Sequence, residues 1–229
     1  MASRLALATI ILICWHEIQG MSYIIQHPGI IWGLLLEHLQ VTSLALLIAL
    51  FVALPLGLLI NHYRWLSIPL VGTLGVLYTV PSLALMILLV PIFGLNSTTV
   101  VVAMGIYAQV ILVRNITIGL QSVQPAILEA ARGMGMNGWQ CWWQVQVPLA
   151  LPIFLAGLRL AAIVVIAIAT IGAKFGAGGL GVLLFDGIAQ AGRYDKIWAG
   201  AIAVATLALV INVTLLVLER VSNPASRIL

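Results

Sequence analysis

Apolar residues fall along this chain in five long runs separated by short polar breaks. Val41 to Ile60, Leu66 to Phe93 and Ile197 to Leu218 hold no Asp, Glu, Lys or Arg. Ser97 to Leu120 holds one charge, Arg114, and Leu149 to Ala173 holds one, Arg159. Crossing a hydrocarbon core of about 30 Å takes about 20 mostly apolar residues in a helix. Each run is long enough. The pattern predicts an all-α membrane protein with five core transmembrane helices. A shorter apolar stretch, Leu5 to Trp15, follows Arg4. It reads as a signal-like segment, an interfacial helix or an uncleaved extra span, and the lack of a small-residue cleavage site favours the last.

Proline refines the second run. Pro69, Pro81 and Pro91 lie inside it, and proline removes a backbone donor. Pro81 near its middle predicts a broken span that packs inward, where neighbours satisfy the freed carbonyls. Composition agrees with the pattern. The chain is 63% hydrophobic and 7% charged, against about 25% charged in soluble domains. A net charge of +4 spread over the ends of apolar runs holds no basic cluster and argues against nucleic acid. With the 121–147 loop in the cytoplasm, six basic residues (Arg4, Arg64, Arg114, Arg132, Arg220, Arg227) lie inside and three (Lys174, Arg193, Lys196) outside. That is the orientation membrane insertion prefers. Cys14 and Cys141 fall in different segments and imply no disulfide framework.

The segment from Gln121 to Val147 differs from its surroundings. Pro125 suits a helix start, and Ile127 to Arg132 are mostly good helix formers. Gly133, Gly135 and Gly138 then interrupt. Trp139, Trp142 and Trp143 predict a second short helix at the membrane interface. Glu129 and Arg132 are three apart and able to pair with each other. Read from physics alone, this is a structured loop, or a small helix whose Ala130–Ala131 tip fits a groove on a partner.

Glu129-Ala130-Ala131, then three residues, Gly135, nine residues and Val145-Gln146-Val147-Pro148 resemble the EAA signature of binding-protein-dependent ABC importer permeases. Val145 and Val147 stand where that pattern has Ile and Leu. The resemblance runs from about Glu37 to Leu218. Thr79 to Leu85 and Gly176 to Gly181 look like osmoprotectant permeases, which import glycine betaine, carnitine or choline. Methionine permeases share the architecture and part of the Gly-rich segment. The resemblance implies a type I importer permease fold over 37–218, a coupling loop at 121–148, an N-terminal segment at 1–36 and a cytoplasmic tail at 219–229. It implies that Glu129, Ala130, Ala131, Arg132, Gly135 and Pro148 couple to an ABC ATPase subunit, two copies of which hold ATP and Mg. A second permease subunit, the same or a sister chain, and an extracytoplasmic substrate-binding protein complete the expected assembly in the bacterial inner membrane. Lys174 departs from the family pattern. A cation near the outer mouth disfavours choline more than zwitterionic betaine.

Other features have weaker claims. Gly176, Gly178, Gly179 and Gly181 fit a dinucleotide fingerprint, but that fingerprint needs a strand before it. A long apolar run precedes it instead, so the glycines are expected to form an outer turn next to the pore. Pro81 and Tyr78 are the matching candidates inside the membrane. No P-loop occurs, so no cofactor is expected on this chain and nucleotide belongs to a separate subunit. His16, His27, His38 and His62 scatter without metal-ligand spacing. Arg159 either snorkels to headgroups or serves transport. Asp186, Arg193, Asp195 and Lys196 make either a solvated loop or a docking surface.

Overall fold

The computed structural model describes residues 17–190 and 192–223. The expected extra span over Leu5–Trp15 lies outside them. Among the described residues all regular structure is helical. Residues 17–26 are helical (α1), followed by α2 (Pro28–His62), α3 (Ser67–Thr79), α4 (Ser82–Phe93), α5 (Ser97–Gln121), α6 (Pro125–Gly133), α7 (Gly138–Gln140), α8 (Val147–Gly172), α9 (Gly181–Ala189) and α10 (Tyr194–Ser222). Four helices are long and apolar enough to cross a membrane, and the bent pair of α3 and α4 makes up to five.

The observed spans overrun the expected ones. α2 starts at Pro28, well before Val41, and runs 35 residues. At about 1.5 Å per residue that exceeds the hydrocarbon thickness. Proline at its first position costs no helical bond there. The fourth span is continuous over Gly138–Phe175, 38 residues.

α5 is the axis of the bundle and the most buried span. Its first turn is fixed by Asn96, whose side-chain oxygen accepts from the Thr98 and Thr99 N–H groups at 2.9 and 3.3 Å. α2, α3, α4 and α8 pack around it, with Ala45, Met86, Met104, Leu112 and Val165 in the shared core. A polar contact from Gln109 crosses this core. In the amide orientation that satisfies both its ends, Gln109 donates to the Ala49 carbonyl and accepts from the Ala53 N–H, both at 3.0 Å. Such a bond ties α5 to α2 where no water is available to compete.

α10 lies outside this core, against α8 and α9. Its buried residues are Ala199, Gly200 and Leu207, all in its first half. α1 packs beside that half, through Tyr23 with Leu183 and Ala199. The molecule therefore has two ends. One carries α6 and the last turns of α2, α5 and α10. The other carries the Gly-rich turn, α9 and the first turns of those helices.

Candidate functional site

At the α6 end the chain makes a self-supporting hairpin between α5 and α8. Gln124 is extended, with ψ of 134°, because Pro125 disfavours helical geometry in the residue before it. α6 then closes with a Schellman cap. The Met136 N–H donates to the Ala131 carbonyl at 3.2 Å and the Gly135 N–H to the Arg132 carbonyl at 2.9 Å. That cap needs a left-handed residue, and Gly135 supplies it at φ +87°. Asn137 and Gln140 next form a reciprocal capping box, both bonds 2.9 Å. The expected Trp-rich second helix exists. It starts as α7, widens into a π-helix over Cys141–Gln146 and runs into α8. Pro148 lacks the N–H that the Gln144 carbonyl would otherwise accept in an α-helix, which suits the wider π turn before it.

The hairpin has two faces. Ala131 and Cys141 are buried between α6 and the π turn, and the Cys141 thiol lies 3.9 Å from the Leu128 carbonyl. Glu129, Ala130, Arg132 and Gly133 are exposed. The expected Glu129–Arg132 pair does not form: the ion pairs among the described residues are Arg159–Glu219 and Arg193–Asp195. Glu129 and Arg132 thus present separate charges beside a small Ala130. Met134 and the edge-to-face pair Trp139–Trp143, centroids 5.6 Å apart, stand exposed nearby.

Inside the membrane the structure brings Tyr78 and Pro81 together. α3 and α4 meet at 97°, the broken second span that Pro81 predicted. Val80 is extended before Pro81, and its freed carbonyl accepts the Tyr107 hydroxyl of α5. The Tyr78 and Tyr107 rings lie 5.5 Å apart. A tyrosine from a neighbouring helix does here what water would do outside the bilayer.

The Gly-rich turn sits at the opposite end. Gly176, Gly178 and Gly179 have φ of +82°, +72° and +82°. The Gly179 N–H donates to the Glu37 carboxylate of α2 at 2.9 Å. A Cβ on Gly178 would lie 2.5 Å from that carboxylate, and one on Gly179 would lie 2.9 Å from the His38 ring. Gly181 starts α9 directly against the Thr170 carbonyl of α8. The turn therefore wedges against α2 as an interlock. No strand precedes it among the described residues, so the dinucleotide context is missing.

Charges in the α9–α10 region are largely satisfied locally. Arg193 pairs with Asp195 at 2.8 Å, Lys196 donates to Gln190 at 3.0 Å and Lys174 lies over the Phe185 ring at 5.0 Å. The carboxylate of Asp195 raises the pKa of Arg193, mainly through their hydrogen bond. Among the described residues no cluster of His, Cys, Asp or Glu is able to hold a metal. Sequence reasoning left Arg159 without a partner. Its Nε donates to Glu219 at 3.1 Å and its Nη1 to Asn212 at 3.3 Å. Glu219 lies just beyond the last apolar run. Only the antiparallel register of α8 and α10 brings it back to Arg159.

The described residues form an all-helical bundle with several membrane-spanning helices, one of them broken, and a capped hairpin between two spans. Residues 45–228 match the family described as binding-protein-dependent transport system inner membrane component, and the chain belongs to that family. It is 36% identical over 207 residues to the osmoprotectant import permease protein OsmW of Salmonella typhimurium strain LT2, covering 88% of this chain and 96% of that protein. It is 38% identical over 183 residues to the carnitine transport permease protein OpuCB of Listeria monocytogenes, covering 80% and 84%. Among solved structures it resembles a chain of the inward-facing MetNI methionine ABC transporter, with a TM-score of 0.71 at 18% identity over 92% of this chain and 98% of that one. A chain of an amino acid ABC transporter solved with histidines gives a TM-score of 0.65 at 24% identity, again over 92% and 98%. These two likenesses establish the fold of ABC importer permeases.

Proposed function

We propose that this chain is the pore-forming subunit of an ATP-driven osmoprotectant importer, and that the α6 turn receives the movement of a separate ABC ATPase. The observation that carries the reading is the α6 turn itself. Its exposed Glu129 and Arg132 have no ion-pair partner among the described residues, and it leads into the continuous Gly138–Phe175 helix. A projecting, rigidly capped turn joined to a long rod is suited to pass displacement across a membrane. The turn faces the cytoplasm, where ATP is. Two ATPase subunits dock on two such turns, one from each of two permease chains, the same or a sister chain. ATP and Mg are bound on the ATPase. Differential affinity of the ATPase for two arrangements of the helices provides the switch.

The other end receives solute from an extracytoplasmic binding protein. Tyr78, Tyr107 and Pro81 at the helix break lie along the path, and the Gly176–Gly181 turn frames its outer end. The substrate class follows the curated relatives, whose names give osmoprotectant, carnitine, glycine betaine and choline. Lys174, placed on Phe185, favours a zwitterion such as betaine or carnitine over choline.

The decisive experiment reconstitutes the permease with its ATPase and binding protein. Glu129→Lys is expected to abolish uptake while membrane insertion and level stay normal. Unchanged uptake would refute the coupling role. Competition of betaine uptake by carnitine, choline and methionine checks the substrate, and inhibition by methionine alone would overturn it.

A further inference from the structure

We propose that Arg159 is a positioning residue that fastens the second half of α10 to α8, so that α10 follows the α6 turn. This rests on the coupling role proposed above.

α10 needs such a fastening. Its buried residues end at Leu207. From Ala208 to Ser222 no side chain is fully buried, so packing alone holds this half weakly. Nor does α2 support it. A groove of about 330 Å³ opens between the two, with Leu46 of α2 on one wall, Leu215 of α10 on the other, and Leu158 and Ala162 of α8 among the lining. Its three hydroxyls bond back to their own helices: Thr42 donates to the His38 carbonyl at 2.7 Å, Ser43 to the Gln40 carbonyl at 3.2 Å and Thr214 to the Val210 carbonyl at 2.7 Å. The groove therefore offers α10 no polar hold.

Arg159 supplies one. Its planar fork reaches two positions of α10, Glu219 at 3.1 Å and Asn212 at 3.3 Å. Those positions are seven residues apart, two turns along one face. Two bonds spaced along the helix fix its direction as well as its position. The arginine and the glutamate are each about three-quarters buried, with side-chain exposures of 29% and 25%, so the pair is shielded more than an ordinary surface ion pair. An intramembrane charge without a partner is costly, which keeps the pair closed. Lysine carries the same charge but has no fork to hold both partners at once. Arg159 stands on the continuous helix that begins at the α6 turn, so displacement of that turn reaches α10 through these two bonds.

The test uses the reconstituted transporter with ATPase and binding protein. In Arg159→Gln, solute imported per ATP hydrolysed is expected to fall about tenfold, with hydrolysis itself nearly unchanged. Arg159→Lys should fall between Gln and the natural residue. Genetically encoded spin labels at the exposed positions Ile48 of α2 and Val217 of α10 report the geometry directly. Their distance distribution should broaden or shift by several ångströms in Arg159→Gln and narrow again in Arg159→Lys.

Glu129→Lys is run alongside. If it loses uptake while Arg159→Gln keeps both its import ratio and its distance distribution, the fastening is overturned and the docking turn stands. If Glu129→Lys transports normally, the coupling reading falls, and an unchanged spin-label distribution in Arg159→Gln overturns the fastening as well. Should Arg159→Gln fail to insert, Arg159→Gln with Glu219→Gln removes both charges and leaves none unpaired. The same two readings then decide.

Discussion

The two ends of this bundle solve the problem of holding irregular backbone in different ways. At the α6 end every turn is closed by its own neighbours: a Schellman cap at Gly135, a capping box at Asn137 and Gln140, and a π turn into α8. The side chains Glu129 and Arg132 are left exposed and without an ion pair among the described residues. At the Gly-rich end a local Schellman cap at Gly176 is joined by a distant hold from α2: the Glu37 carboxylate accepts from the Gly179 N–H, and Glu37 and His38 pack against Gly178 and Gly179. The first end keeps its shape while touching little else. The second adds to its local bonds a hold from α2. A turn that holds itself is free to engage a partner, whereas a turn held by another helix belongs to the interior.

The contrast is broken first at the Gly-rich end. Gly179→Val adds atoms where even a Cβ lies 2.9 Å from His38, at a φ of +82°. Strain at such a position costs about 1–3 kcal/mol before any clash is counted. The expected result is loss of folded protein, read as a collapse of the detergent-solubilised monodisperse fraction. Gly135→Ala has the same unfavourable φ, but open space surrounds it. It should therefore be tolerated better, by about 1 kcal/mol or more, in a thermal unfolding comparison of the two variants. Equal losses would erase the distinction between the ends.

A smaller effect is expected within the membrane. Tyr107→Phe removes the donor to the Val80 carbonyl and leaves that carbonyl unpaired, a cost of about 1–3 kcal/mol. Thermal unfolding should show the loss, and hydrogen exchange should show faster opening of residues around Val80. A variant as stable as the parent would mean the break is held some other way. The smallest effect belongs to the self-closed hairpin. Asn137→Ala removes one cap and costs about 1 kcal/mol, confined to amide exchange in residues 138–146.

Much of this organisation was legible in the sequence. Five runs gave the helical spans, since the length of an apolar stretch is set by membrane thickness. Glycine and proline spacing gave the α6 hairpin, because left-handed caps and proline starts are local devices. Pro81 announced a break but not its 97° bend, which depends on Tyr107 arriving from α5. The resemblance at Glu129-Ala130-Ala131 and Gly135 pointed to a coupling turn. It said nothing of which faces are exposed, and only the fold separates exposed Ala130 from buried Ala131. Partners far apart along the chain were invisible: Glu37 with Gly179, and Arg159 with Glu219 and Asn212. Each needs the register between two helices. Hydropathy does not encode register when helices are apolar on every side.

The central claim is that the α6 turn meets an ATPase from the cytoplasm. A photo-reactive residue in place of Ala130, which is exposed and adjoins Glu129, tests it in the assembled transporter in cells. A covalent adduct with the ATPase subunit is expected, in a yield that changes when ATP is bound. An adduct with the external binding protein instead, and none with the ATPase, would contradict it.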